Sequence, residues 1–222
     1  LLKENGYVVT GSDRALSQFA VDLQNDGVEI YIGHHPRNIA GADLVIRSSA
    51  IADDNPEVDA AKRAGIPVYK RADFLGQLMA DKTGIAVAGT HGKTTTTAMI
   101  AWTLYAMGRD PSFIVGGTLN NLKVNAHAGK GDPFVIEADE YDRMFLGLKP
   151  RIEVVTNLEH DHPDCYPTFP DMFTAFKSFV DLLPVDGTLI ACADDENAVS
   201  LLSHARRKGV NVVSYSLQSE MT

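Results

Sequence analysis

Apolar positions fall into short strand-like runs that alternate with stretches of helical spacing. The strand-like runs of the first part are "YVVTGSD" at 7–13, "VEIYIG" at 28–33, "ADLVIRSSA" at 42–50 and "IPVY" at 66–69. Between them, residues 14–26 predict a helix. So does "NPEVDAAKRAG" at 55–65, with proline at its start and glycine at its end. "RADFLGQLM" at 71–79 predicts a third. Strands alternating with helices predict βαβ units and a parallel sheet covered by helices. "LLKENG" reads as the last turn of an earlier helix with Gly6 at its C-cap, and "VNVVSYS" at 210–216 as a strand near the far end. The chain is therefore expected to be a fragment.

The alternation restarts around "MADKTG" at 79–84, so the domain boundary is expected there, dividing 1–81 from 82–222. The second series opens with "GIAVAGTHGKTTTTAMIAWTLYAMG": apolar strand, glycine turn, long helix. That order is the context a phosphate-binding loop needs. Gly89 and Gly92 let backbone N–H groups approach phosphate oxygens, and a helix starting near Lys93 points its positive end at an anion. Lys93 can reach the outer phosphates, and the Thr94 hydroxyl can bind Mg²⁺. The usual spacing would place a glycine at 87, where this chain has Val87.

Two more strand-like runs end in polar clusters. "PFVIEADEYD" ends in Glu137, Asp139, Glu140 and Asp142. "RIEVVTNLEHDHPD" ends in Asn157, Glu159, His160, Asp161 and His162. In a parallel sheet the carboxyl ends of strands face the ligand crevice, where a carboxylate can hold the Mg²⁺ of a nucleotide. The acidic run reads either so or as a solvated loop. His162 reads either as a site residue or as a hydrogen-bonded surface histidine, since imidazole is an unusual Mg²⁺ ligand. In the first part Asp13 ends a strand where Rossmann-like folds place an acidic residue against a ribose. His34 and Ser49 follow later strands and are candidates for uracil or diphosphate contacts. Turn capping is the other reading of all three.

Composition narrows the classes. A formal net charge of −9 argues against unspecific binding to nucleic acid or an anionic membrane, so anionic substrates need local cations. Hydrophobic residues make up 45% and charged ones 22%, ordinary for a soluble globular protein. No apolar run reaches a membrane span, no signal peptide is evident, and the two cysteines lack metal-ligand spacing. A cytoplasmic location is expected.

"AVAGTHGKTTTT", "EADEYD" and "TNLEHDHPD" together resemble the Mur ligase family, in which the loop reads Gly-Thr-His/Asn-Gly-Lys-Thr and no glycine is needed at 87. "VVTGSD", "YIGHHPRNI", "ADLVIRSSAI", "DNPEVDAAKRAGIPV" and "RADFLGQLM" look like the Rossmann-like UDP-binding domain of its alanine-adding members. The resemblance implies an α/β chain. It implies a UDP-substrate domain expected to lack its first strand and glycine loop, followed by an ATP-binding domain expected to be incomplete, without the C-terminal amino-acid domain. It implies ATP and Mg²⁺ as cofactors, and UDP-N-acetylmuramate and L-alanine as substrates. ATP phosphorylates the lactyl carboxylate, and the amine attacks the acyl phosphate, in bacterial peptidoglycan synthesis. By motif matching, Gly89, Thr90, His91, Gly92, Lys93, Thr94 and Thr95 form the ATP loop. Thr94, Glu137 and His162 match metal ligands, and Lys93, Glu137 and His162 the catalytic set. Asn157 and Asp161 support it, and Asp13, His34, Ser49 and Asn157 are the substrate candidates. Tyr141 stands where many relatives have serine, a feature shared with the tripeptide-recycling ligase, which remains an alternative. A non-catalytic UDP-sugar-binding protein is another. A nicotinamide oxidoreductase is disfavoured, because no G-x-G-x-x-G occurs.

Overall fold

The computed structural model describes residues 1–217. The chain divides into two compact units, Leu1–Phe74 and Leu75–Thr222. In the first, strands β1 (Thr10–Asp13) and β2 (Glu29–Ile32) pair in parallel around helix α1 (Gln18–Asn25). Strands β3 (Val45–Arg47) and β4 (Val68–Lys70) form a second parallel pair around α2 (Pro56–Arg63). The βαβ pattern is as expected, but the sheet is two separate two-stranded pieces. Helix α3 (Arg71–Met79) carries the point of division.

Two local expectations are corrected. The strand read from Tyr7 begins only at Thr10, because its ladder to β2 starts with Thr10 opposite Glu29. Val8 is left 98% exposed. The helix read from residue 14 begins at Gln18, because Ser17 caps it by accepting the Ala20 N–H. Residues 2–6 form a turn rather than a regular helix, and Gly6 takes a positive φ of 85°. The start of α2 follows the sequence: Asn55 accepts from the Glu57 and Val58 N–H groups, and Pro56 fills the first turn.

The second unit holds strands β5 (Thr83–Ala88), β6 (Ser112–Leu119), β7 (Val124–His127), β8 (Pro133–Glu137), β9 (Ile152–Val155), β10 (Thr188–Cys192) and β11 (Asn211–Tyr215). Its helices are α4 (Lys93–Ala106), α5 (Phe169–Val180) and α6 (Glu196–Lys208). One seven-stranded sheet runs β11-β10-β9-β5-β8-β6-β7, parallel except for the β6–β7 edge pair. β5 lies between β8 and β9, and Ala86, Val87 and Ala88 are fully buried. A strand covered on both faces reads as the continuous apolar run seen here. Phe145 stacks on Phe179 at 4.7 Å and meets Phe176 edge-on, which anchors α5.

Central strand β9 contains one anomaly. Glu153 is fully buried, and neither carboxylate oxygen has a hydrogen-bond partner. Burial pushes its carboxyl well above the ordinary value of 4.5, more than Lys208 pulls it down. The folded state therefore holds the proton in a pH range where the unfolded chain releases it. Stability from this group is fully present below about pH 4.5 and falls as pH rises toward the folded value. We expect Glu153→Gln to be more stable than the parent at pH 8, with the difference shrinking toward pH 4.5. Urea denaturation at both pH values checks this; an equal difference at both would contradict the assignment.

Candidate active site

Three adjacent strand ends converge. β5 runs directly into the loop Gly89–Gly92 and then into α4. β8 ends at Glu137, and the segment after β9 carries Asn157 to His162. Parallel pairing puts all three at the carboxyl edge of one sheet. Val87 is simply the buried penultimate residue of β5, so the turn is shorter than the usual loop by construction.

The loop is pinned from β9. Thr156 Oγ1 donates to the His91 carbonyl at 2.6 Å. The Asn157 side chain accepts the His91 N–H at 2.9 Å and donates to the His91 carbonyl at 3.0 Å. Thr90 Oγ1 accepts the Glu159 N–H and donates to the Glu159 carbonyl. Gly89 has a φ of 133°, and a Cβ there would lie 2.1 Å from Thr156 Oγ1. Only glycine fits this close approach. The N-terminus of α4 has no side-chain cap, because Gly92 stands at the N-cap with a φ of 81°. Its N–H groups are left available for an anion.

Lys93 Nζ donates to the Gly89 carbonyl at 2.6 Å, the Thr90 carbonyl at 3.3 Å and Glu140 Oε1 at 2.7 Å. Thr94 Oγ1 donates to Glu137 Oε1 at 2.9 Å, and Glu137 Oε2 accepts the Gly116 N–H at 2.7 Å. Gly116 matters here, since a Cβ on it would come within 2.7 Å of that carboxylate. Mg²⁺ takes octahedral oxygen ligands at about 2.0–2.1 Å, so neighbouring ligand oxygens stand about 2.9 Å apart. The Thr94–Glu137 pair fits that requirement in both element and spacing.

His162 lies elsewhere in the cluster. Its Nε2 is 3.4 Å from Glu140 Oε1 and 3.8 Å from Asp161 Oδ2. Ligand atoms of Glu140, Asp161 and His162 all fall within 4.8 Å of one another, an arrangement able to hold a cation. His162 has a positive φ of 54°, uncommon for a residue with a side chain. Tyr141 meets its ring edge-on at 5.2 Å and donates its hydroxyl to Asp164 at 2.8 Å. Sequence reasoning singled out Glu137 and His162 but not Glu140, because four acidic residues in six give no local sign of which is buried.

The first unit holds a cleft of about 740 Å³ whose lining includes Asp13, Arg14, His34, Arg47 and Ser48. Asp13 and His34 thus share it, whereas Ser49 is not among its lining residues. Its polar hub, Glu57, had no sequence signal. Glu57 accepts from Ser12 Oγ at 2.6 Å, Asn38 Nδ2 at 2.6 Å and the His35 N–H at 3.3 Å, with His34 Nδ1 at 3.2 Å. Burial opposes its charge, but these donors outweigh it and hold the carboxyl below the ordinary range.

A phosphate-type loop between a central strand and an uncapped helix, with carboxylates on the flanking strand ends, defines a phosphate-loop α/β protein. Residues 87–222 match the family model described as the Mur ligase middle domain, and residues 1–83 the one described as the Mur ligase family catalytic domain. The chain belongs to the Mur ligase family. UDP-N-acetylmuramate–L-alanine ligase of Renibacterium salmoninarum is 48% identical over 97% of this chain and 46% of its own length. The Legionella pneumophila enzyme of the same name is 46% identical over 93% and 44%. The chain spans about half the length of the curated relatives it matches. Among solved structures, UDP-N-acetylmuramate–alanine ligase from Thermotoga maritima superposes with a TM-score of 0.82 at 28% identity, covering 98% of this chain and 48% of that one. UDP-N-acetylmuramate:L-alanyl-gamma-D-glutamyl-meso-diaminopimelate ligase from Neisseria meningitides gives 0.84 at 28%, covering 96% and 72%. Among the described residues, no helix is long and apolar enough to cross a membrane.

Proposed function

We propose that the full-length protein is an ATP-dependent ligase joining L-alanine to the lactyl carboxylate of UDP-N-acetylmuramate, a cytoplasmic step of bacterial peptidoglycan precursor synthesis. The carrying observation is the convergence of Lys93, Thr94, Glu137 and His162 on adjacent strand ends, in a chain whose relatives bear that name. Bound ATP supplies the transferable phosphoryl group, and Mg²⁺ offsets its charge. The segment Gly89 to Thr95 would hold the phosphates, chiefly at the start of α4, whose N–H groups have no side-chain cap. Thr94 and Glu137 would hold one Mg²⁺, and His162 would help to hold a second. Lys93 aims a fixed charge at the phosphoryl oxygens, where phosphate and substrate carboxylate would otherwise repel. Asn157 acts by fixing the loop at His91. In the first unit, Asp13 and His34 line the cleft proposed for the UDP portion, with Ser49 as a neighbouring candidate.

The likeness to the tripeptide-named Neisseria structure, together with Tyr141, favours a second reading in which the amine is a peptide. Phosphate release by the full-length protein separates the two. We expect release that needs both UDP-N-acetylmuramate and L-alanine, and little with the tripeptide L-alanyl-gamma-D-glutamyl-meso-diaminopimelate. Preference for the tripeptide would establish the second reading, and no release with either amine would overturn both.

A further inference from the structure

Glu140 differs from the other carboxylates of its run. Its side chain is completely buried, while Glu137 and Asp139 are partly exposed. One oxygen serves two partners: Oε1 accepts from Lys93 Nζ at 2.7 Å and lies 3.4 Å from His162 Nε2. The other, Oε2, is buried without a hydrogen-bond partner. The backbone is held from behind. The hydroxyl of fully buried Tyr166 donates to the Glu140 carbonyl at 2.5 Å, and the Arg143 N–H donates to the same carbonyl at 2.9 Å. Asp142, Arg143 and His162 all take positive φ, at 51°, 56° and 54°. Strained backbone thus lies on both segments that meet at this carboxylate.

A wholly buried carboxylate is costly unless it is paired, and a neutral side chain would fill the same space at less cost. The charge is retained where the lysine of the phosphate loop and the histidine of the next strand end meet. We infer that Glu140 is a positioning residue acting through Lys93 and His162. It fixes the ammonium and the imidazole relative to each other, so that both address one phosphoryl group. The inference rests on the proposed function. Lys93 already makes three hydrogen bonds, to Gly89, Thr90 and Glu140, as many as an ammonium has hydrogens. A phosphate oxygen must therefore take over one of them. Glu140 is the only charged acceptor of the three, so it both anchors Lys93 and competes with nucleotide for it.

That dual position separates binding from turnover. In the full-length protein Glu140→Gln keeps the shape and removes the charge. We expect kcat to fall about 10–100-fold, the scale of losses when a group orienting a metal-site ligand is replaced. The KM for ATP and the Kd for ADP with Mg²⁺, measured by calorimetry, should stay the same or decrease. Glu140→Asp keeps the charge but shortens the reach, so it should lose kcat as well. If Glu140→Gln fails to fold, Glu140→Asp decides by the same split. A kcat within about threefold of the parent would overturn the inference. So would ADP affinity lost in proportion to kcat, which marks a merely structural residue. Lys93→Ala serves as the control: if it is fully active, the proposed function fails. If it is inactive while Glu140→Gln or the deciding Glu140→Asp is normal, only the role of Glu140 fails.

Discussion

Lys93→Ala in the full-length protein is expected to lower kcat by about 10²-fold or more, the usual cost of removing one preorganised charge aimed at a developing anion. The structure supports a large effect because Lys93 is only 16% exposed and is tied to both the loop and Glu140. A flexible surface lysine would lose far less. The substitution also leaves Glu140 buried and without its ammonium, so some stability should be lost with activity. The two effects separate by measuring turnover at saturating ATP well below the midpoint of thermal unfolding. Near-parent turnover in a folded variant would remove the phosphate loop from the mechanism.

Glu137→Gln is expected to act through the cation. Glu137 accepts from Thr94 on one oxygen and from the Gly116 N–H on the other. An amide can keep only one of these acceptors, and it turns a donor toward the other group or toward the metal. Loss of the anionic oxygen should raise the Mg²⁺ concentration needed for half-maximal rate and cut the maximal rate by about 10²-fold. A Mg²⁺ titration of the rate checks both numbers. An unchanged half-saturation point would show that Glu137 is not a ligand.

The placement of both residues was legible in the sequence, each for its own reason. The strand Thr83–Ala88, the glycine turn and the helix from Lys93 are contiguous, so local periodicity and turn chemistry specify them together. Glu137 ends its own strand and could be placed by the rule that parallel strands present their carboxyl ends to ligand. Strands β6 and β7, at one end of the sheet, were not anticipated. Glycines at 116 and 117 interrupt β6, and its antiparallel partner is only four residues long. The strand expected from Tyr7 starts three residues later, at Thr10, because alternation cannot reveal where a neighbour is there to pair with.

The sequence by itself determined the α/β alternation, the phosphate loop with Lys93 and Thr94, and the family to which these motifs point. Each is encoded in a short window, where side-chain spacing and backbone preference act directly. Tertiary structure decided which carboxylate is buried against Lys93, that Asn157 grips the His91 backbone, and that Glu57 gathers Ser12, His34 and Asn38 beside one cleft. These contacts join residues 19 to 66 positions apart. Nothing local to Glu140 distinguishes it from Glu137 or Asp139. What sets it apart is desolvation, and only the packed chain shows which charges have been taken out of water.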